Sequence, residues 1–292
     1  MRPVFTWNLG NRSLELGKRT LVIGIVNVTP DSFSDGGEYL IPESAVARAL
    51  KLLDEGADIV DIGGESTRPG AKVGKNEPSV SAEEELRRVL PVITGVKQMK
   101  PAAVISVDTY KAKVARAAVE AGAEIVNDVS GLQWDAEMAK TLTALNCGVV
   151  LMHTRGRPDE WLSLPKVADL VVLVKRELRE RAEAAGAAGI KRGHIVLDPG
   201  FGFGKCFEEN YPLLRRFGEF HELHFPLLAG VSRKSFLGRA LADEGKDAPV
   251  EGRSFATLSA EVIAASKGAH IIRTHNVKPA VDALRIADLV SS

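Results

Sequence analysis

The sequence predicts an α/β fold, a (β/α)8 TIM barrel with an N-terminal β-hairpin. Short, continuously apolar runs recur along the chain, and most are followed by an Ala-, Leu- and Glu-rich segment with apolar residues at three- and four-residue steps. Continuous apolarity is typical of strands buried on both faces in a parallel sheet. Polar residues end every run. Because the loops of a barrel share one mouth, this favours a barrel over the alternative, a doubly wound open sheet.

The elements follow in chain order. The leading segment "FTWNLGNRSLEL" predicts a hairpin over about 4–17, turning at Gly10-Asn11, as a plug on the far face of a barrel over about 21–290. The predicted strands are "LVIGIVNV" (21–28), "DIVDIG" (58–63), "AVISVD" (103–108), "EIVNDV" (124–129), "GVVLMH" (148–153), "HIVLD" (194–198), "PLLAGV" (226–231) and "AHIIRTH" (269–275). The clearest helical patterns are 44–57, 81–98, 111–123 and 170–186. We find no linker, so residues 1–292 are expected to form one domain.

Composition excludes several classes of protein. The 292 residues carry 38 basic and 38 acidic side chains, so net charge gives no reason to expect nucleic acid or an anionic membrane as partner. The two cysteines, Cys147 and Cys206, are far apart without a CxxC motif, which indicates a reduced, cytoplasmic protein with no zinc site. We find neither an export signal nor a run long enough to cross a membrane.

One glycine-rich stretch, "LDPGFGFGKC" (197–206), invites interpretation as a phosphate loop. A Walker loop needs a glycine where Pro199 stands and a Ser or Thr where Cys206 stands, and the dinucleotide fingerprint needs a different glycine spacing. Both matches fail. What remains is Asp198 at the end of a predicted strand, with glycines behind it that either form a tight turn or give room for backbone approach.

A first group of strand-end residues suits a flat heterocycle. Asp108, Asn127 and Asp198 end the third, fourth and sixth predicted strands, and Lys234 follows the seventh. One carboxylate can accept two parallel hydrogen bonds from an amidine-like edge, so we expect Asp198 to bind such a ring. A single polar residue at a strand end is more often a cap or turn former, but their number favours a binding site.

A second group suits a polyphosphate. Arg68 and Arg273 can hold phosphate oxygens, beside His275 and Asn27. The alternative is that Arg273 and His275 pair with neighbouring acids. The amide oxygen of Asn27 is a possible single ligand for Mg2+, with water and phosphate oxygens completing the shell. A third group comprises Phe33, Thr67 and Pro69, on loops suited to a mobile lid, and Ser235, where a helix should begin and could bind a carboxylate.

Six ordered motifs carry a resemblance to a known family. They are "GIVNVTPDSFSDGG", "DIGGESTRPG", "ISVDT", "LDPGFGFGK", "GVSRKS" and "IIRTHNV", and the match extends from about residue 21 to 290. The chain resembles the dihydropteroate synthases, pterin-binding barrel transferases of folate synthesis that join 6-hydroxymethyl-7,8-dihydropterin pyrophosphate to 4-aminobenzoate and release pyrophosphate. The resemblance implies Mg2+ as cofactor, a homodimer and a target of sulfonamides.

The resemblance also implies a role for each candidate residue. Asp198 and Asn127 would bind the amidine edge of the pterin, Asp108 its N8 side and Lys234 its O4 and N5. Asn27 would ligate Mg2+, and Arg68, Arg273 and His275 would hold the pyrophosphate. The aminobenzoate pocket would comprise Phe33, Thr67, Pro69, Lys234 and Ser235, and the catalytic set Asp108, Lys234, Arg273 and His275.

Two alternatives from other functional classes stay open at this point. A methyltetrahydrofolate-dependent methyltransferase barrel shares pterin-reading acids but has no use for an aminobenzoate pocket. A catalytically silent pterin-binding paralogue should lack lid or pyrophosphate residues. The sequence also places Arg155 and Arg157 after the fifth predicted strand, where solvated surface positions are expected.

Overall fold

The computed structural model describes residues 2–29, 41–66 and 80–291. The strands are β1 (Phe5–Asn8), β2 (Ser13–Leu16), β3 (Leu21–Asn27), β4 (Ile59–Gly63), β5 (Val104–Asp108), β6 (Ile125–Asp128), β7 (Gly148–Met152), β8 (Ile195–Asp198), β9 (Leu228–Ala229) and β10 (Ile271–Thr274). The helices are α1 (Ile41–Asp54), α2 (Ala82–Met99), α3 (Ala112–Glu120), α4 (Met138–Leu145), α5 (Leu170–Ala187), α6 (Asn210–Arg215), α7 (Ser235–Ala240), α8 (Ser254–Ser266) and α9 (Val277–Ser291).

The eight strands from β3 to β10 form a parallel sheet that curls into a nearly closed barrel, which confirms the predicted fold class. Their order is β8-β7-β6-β5-β4-β3-β10-β9. One parallel bridge, Leu197 to Leu227, joins the two ends. The seventh strand is much shorter than its apolar run predicts, because only Leu228 and Ala229 pair with β10 before the chain leaves the sheet at Gly230.

Alternate strand residues divide between two apolar layers. In β3, Val22 and Val26 belong to the cluster that packs under the helices, whereas Ile23 belongs to a smaller cluster inside the barrel. The two-residue period of a strand produces this division. Because both faces of each strand are buried, the strand sequences do not alternate between apolar and polar residues. This difference from the helices, whose apolar residues recur at three- and four-residue steps, allowed the two kinds of segment to be distinguished in the sequence.

The hairpin closes the end of the barrel opposite the mouth, as predicted. β1 and β2 pair antiparallel, and Trp7, Leu9 and Leu16 join the inner cluster with one residue from nearly every barrel strand. Trp7 is fully buried, and its Nε1 donates a 2.8 Å hydrogen bond to the carbonyl of His194. In the part of the chain that the structure describes, no helix is long and apolar enough to span a membrane.

We expect Trp7→Ala to lower the free energy of unfolding by about 3–5 kcal/mol, because it opens a cavity beneath the barrel and leaves a buried carbonyl without a donor. Urea denaturation measures this loss. Thr6→Ala, on the exposed side of the same strand, is the matched control and should change stability by less than about 0.5 kcal/mol. Equal losses in the two variants would show that the hairpin does not seal the barrel.

Candidate active site

Residues from four strands meet at the barrel mouth around one guanidinium. The Nε of Arg273, on β10, donates to Asp61 Oδ2 at 2.6 Å, and its Nη2 donates to Asp108 Oδ2 at 2.7 Å. Asn127 Nδ2 donates to the same oxygen of Asp61 at 3.2 Å. The strand register makes this possible, since Gly63, Asp108 and Asn127 are consecutive partners across β4, β5 and β6.

This ion cluster brings Asp108, Asn127 and Arg273 together, although the sequence analysis placed Arg273 in a separate group. Arg273 pairs with neighbouring acids, which was the alternative to phosphate binding. Its Nη1 has no hydrogen-bond partner among the described residues. Burial raises the pKa of Asp108 to about 7, with Arg273 opposing and Asp61 reinforcing the rise. The second oxygen of Asp61, Oδ1, is buried and has no partner in the described part of the chain.

Asp198 stands on the opposite side of the mouth. Its Oδ1 accepts a 2.7 Å hydrogen bond from the backbone of Gly200. Burial raises the pKa of this carboxyl to about 6, while the Gly200 hydrogen bond and the charge of Lys234 work against the rise. Gly230 lies beside this carboxylate, since a Cβ added there would be at an ordinary contact distance of 3.8 Å from Asp198 Oδ2.

The glycines after Asp198 serve the protein's own backbone rather than a ligand's approach. Gly200 and Gly204 have φ of +68° and +67°, and a Cβ there would lie 1.9 Å from His153 O and 2.3 Å from Arg155 O. Their loop is also held by Lys205, whose buried Nζ donates to the carbonyls of His153, Gly200 and Phe203 at 3.2, 2.6 and 3.0 Å. This lysine is therefore committed to the loop itself.

Lys234 reaches the site from the turn after β9. Its Nζ lies 3.9 Å from the centre of the Phe203 ring, a cation–π contact. Burial, followed by repulsion from Arg273, lowers the pKa of Lys234 to about 8, against attraction from Asp198 and Asp108. Ser235 begins α7, as predicted, and is exposed.

His275 and Asn27 occupy the rim. The Nδ1 of His275 lies 2.9 Å from Ser232 Oγ, and Arg48 Nη2 donates to the His275 carbonyl at 2.7 Å. Burial, then the nearby cations Arg233 and Arg273, lower the pKa of His275 to about 3. Asn27 is the exposed last residue of β3. The predictions for four other residues, Phe33, Thr67, Arg68 and Pro69, fall outside the described residues.

The sequence analysis missed Asp61, Lys111 and Glu85. Asp61 stands within the run "DIVDIG", and an acid in an otherwise buried strand is a signal that it needs a partner. Lys111 contacts Glu65 Oε2 at 2.6 Å and Glu85 Oε2 at 2.5 Å, which ties the end of β4 to α2 and the start of α3. No sequence spacing announces that triad, because its members come from three separate elements.

Two positions differ from expectation. His153 ends the fifth predicted strand, where a polar residue is expected at the mouth, but it is fully buried and its Nε2 lies 3.0 Å from Glu177 Oε2 on α5, so it faces the helical layer. Arg155 is not a solvated surface residue. Its side chain is 10% exposed and donates to the carbonyls of Gly204 and Pro165, because the loops after β7 and β8 pack on each other.

Comparison with known proteins places this site in a defined family. The family model described as pterin binding enzyme matches residues 23–275. The dihydropteroate synthase of Escherichia coli K12 is 44% identical, over 93% of this chain and 92% of the relative. A probable bifunctional folylpolyglutamate synthase/dihydropteroate synthase of Halobacterium salinarum is 47% identical over 93% of this chain, which spans 32% of that relative's length.

Solved structures agree with the sequence relatives. The Xanthomonas albilineans dihydropteroate synthase with 4-aminobenzoic acid superposes with a TM-score of 0.89 at 43% identity, covering 99% of each chain. The enzyme of the same organism in complex with 7,8-dihydropteroate superposes with a TM-score of 0.85 at 41% identity, covering 98% of this chain and 99% of the other.

The raised pKa of Asp198 predicts a pH-dependent cost to stability. Because the pKa of Asp198 is higher in the folded protein, the folded state binds a proton that the unfolded chain has already lost. Proton binding therefore stabilises the folded state at low pH, and this contribution to the free energy of unfolding is lost as pH rises through about 6. Asp198→Asn removes the effect. The variant's free energy of unfolding, relative to the unsubstituted protein, should therefore rise by roughly 2 kcal/mol between pH 4.5 and 8. Urea titrations at both pH values measure it, and a constant difference would contradict the raised pKa.

Proposed function

We propose, on the premise that the chain belongs to the pterin-binding enzyme family and is one of its dihydropteroate synthases, that it joins 6-hydroxymethyl-7,8-dihydropterin pyrophosphate to 4-aminobenzoate. The products are 7,8-dihydropteroate and pyrophosphate. The observation that carries the proposal is the mouth cluster, in which two acids, an amide and a lysine surround one space. The methyltransferase and silent-paralogue alternatives find no support among the relatives.

The pterin would be read by hydrogen bonds from both sides of the mouth. Asp198 accepts from the amidine edge, and Asn127 offers its Oδ1 because its Nδ2 already donates to Asp61. Asp108 would face the N8 side of the ring. The ammonium of Lys234 would donate to O4 and lie beside N5. The ion pair between Arg273 and Asp61 holds Asp61 in place beside Asn127. Asp61 in turn fixes the orientation of the Asn127 side-chain amide.

The pyrophosphate would lie at the rim beside Arg273, His275 and Arg68. Arg273 can offer Nη1, the nitrogen not used by the two aspartates, and His275 can offer Nε2. Asn27 would be one ligand of Mg2+, with water and phosphate oxygens as the others. In the described ranges no cluster of three His, Cys, Asp or Glu side chains could hold a metal. Bound there, Mg2+ would neutralise charge that develops on the leaving group.

The reaction would be a dissociative displacement at the exocyclic methylene. The carbon–oxygen bond breaks with its electron pair going to pyrophosphate, and the dihydropterin supports the cation that remains. The carboxylate of Asp108 would stabilise that cation. The neutral arylamine then forms the new carbon–nitrogen bond and loses a proton to solvent. The aminobenzoate would contact Phe33, Thr67, Pro69, Lys234 and Ser235. The chemistry needs no nucleophilic side chain.

We propose that residues 1–292 form one domain and that the protein is a cytoplasmic homodimer. Both cysteines are free thiols, the state that a reducing compartment maintains. The adjacent helices α8 and α9 expose large apolar side chains, with Phe255 86%, Val290 81% and Leu289 69% accessible. Exposed apolar side chains on these helices would be available for contact with a second copy.

Activity is the direct test. The purified protein, given the pterin pyrophosphate, 4-aminobenzoate and Mg2+, should release pyrophosphate and form dihydropteroate, and chelation of Mg2+ should suppress turnover. Chromatography of the product together with a pyrophosphate assay measures both. Pterin binding without turnover would instead support the silent paralogue.

Two variants should separate the substrates. Asp198→Asn should weaken pterin binding by about ten- to a hundredfold, since a charge-assisted hydrogen bond contributes roughly 1.5–3 kcal/mol. Phe33→Ala should spare pterin affinity and raise the KM for 4-aminobenzoate several-fold, because an aromatic contact contributes about 0.5–1.5 kcal/mol beyond area burial. Calorimetry with a pterin and steady-state kinetics measure the pair. The reverse pattern would show that the two pockets have been assigned the wrong way round.

A further inference from the structure

The loop after β8 is tied together by the side chain of Lys205. This lysine is 7% exposed, and its Nζ donates to the carbonyls of Gly200, Phe203 and His153 at 2.6, 3.0 and 3.2 Å. Burial and the charge of Arg181 lower the pKa of Lys205. The three acceptors favour the charged form, because only an –NH3+ group has a proton for each of them. We call these three oxygens the carbonyl cage.

One branch of the carbonyl cage leads to Asp198. Lys205 binds the carbonyl of Gly200, and the backbone N–H of Gly200 donates to Asp198 Oδ1 at 2.7 Å. That hydrogen bond restricts the rotation of the carboxylate, whose Oδ2 accepts no hydrogen bond from the described residues. Lys205 thus holds the residue whose N–H orients Asp198 and leaves one carboxylate oxygen for a ligand.

The other branch leads to Lys234. Lys205 binds the carbonyl of Phe203, and the ring of Phe203 lies 3.9 Å from Lys234 Nζ. Trp161 packs edge-on against the same ring, with the ring centroids 5.2 Å apart. The stem of Lys234 also lies close to Gly202, where an added Cβ would be 3.3 Å from Cδ. The loop is therefore a wall against which the side chain of Lys234 rests.

The groups assigned to the pyrophosphate are held by other parts of the protein. Arg273 donates to Asp61 and Asp108, and the ring of His275 contacts Ser232. Among the described residues, no hydrogen bond or ion pair joins Arg273 or His275 to residues 199–206. A change at the carbonyl cage should therefore act on the pterin side of the mouth and spare the pyrophosphate side.

We propose that Lys205 is a positioning residue, which preorganises Asp198 and Lys234 for the pterin ring without touching substrate. The inference rests on the proposed function, in which Asp198 binds the amidine edge and Lys234 donates to O4. A ligand that meets partners already in place binds more tightly, because less conformational freedom is lost on binding. The lysine of the glycine-rich stretch therefore serves pterin recognition indirectly, through the carbonyls of its own loop.

Hydrogen exchange of the unsubstituted protein tests the carbonyl cage without turnover. Several backbone N–H groups of the loop are hydrogen-bonded, those of Gly200, Gly202, Phe203 and Cys206. Residues 198–206 should therefore exchange slowly in the free protein and gain little further protection when 6-hydroxymethylpterin binds. Fast exchange that becomes slow only with the pterin would overturn the proposal, because the ligand rather than Lys205 would then order the loop.

Lys205→Ala tests the consequence for binding. The variant leaves the caged carbonyls without their donor, so the affinity for 6-hydroxymethylpterin should fall by about tenfold or more, while the affinity for pyrophosphate stays within about twofold. Calorimetry with each ligand measures both affinities, and circular dichroism shows whether the variant is folded. Lys191→Ala, which removes an exposed lysine near the start of β8, is the matched control and should change neither affinity.

Chemical rescue separates positioning from a general loss of structure. Propylammonium has an –NH3+ group that can enter the carbonyl cage, so it should restore pterin affinity to Lys205→Ala. Tetramethylammonium has the same charge but no N–H and should not. An equal loss of affinity for both ligands, or an unchanged pterin affinity in Lys205→Ala, would refute the role of Lys205 alone. Failure of the unsubstituted protein to bind the pterin would instead refute the proposed function. If the variant does not fold, the exchange experiment decides.

Discussion

The bridging of Asp61 and Asp108 by Arg273 is the interaction on which the rest of the mouth depends. One guanidinium donates to carboxylates from two strands at 2.6 and 2.7 Å, and the same Asp61 oxygen receives the amide of Asn127. Removal of the cation would leave two buried acids facing each other, which costs several kcal/mol. Strands β4, β5, β6 and β10 are thus joined at the mouth by charge as well as by the barrel's own hydrogen bonds.

The buried charged groups lower the free energy of unfolding, and the same groups are the ones available for chemistry. Burial moves the pKa of Asp108 and Asp198 upward to about 7 and 6 and that of Lys234 downward to about 8, so each charged form is costly in the folded protein. A flat, polar ligand with complementary donors and acceptors would supply the missing partners. Perturbed groups gathered in one enclosed space are characteristic of catalytic sites.

A second layer of residues holds the first in position. Lys205 fixes the loop that carries Phe203, which in turn supports the ammonium of Lys234. Lys111 fixes Glu65 at the end of β4, and Ser232 fixes the ring of His275. None of these contacts lies in the mouth, yet each limits the rotamers of a group that does, which is the condition for preorganised binding.

The sequence by itself determined the barrel, the hairpin plug and the members of the site that end strands. The barrel could be predicted because strands that are buried on both faces have unbroken apolar runs. The strand-end residues could be predicted because the carboxyl ends of parallel barrel strands all lie at one mouth. Only the tertiary structure decided which acids Arg273 pairs with, that His153 faces a helix, and that Lys205 and the glycines serve their own loop. Those outcomes depend on side-chain direction and on contacts between elements far apart in the chain, which spacing does not encode.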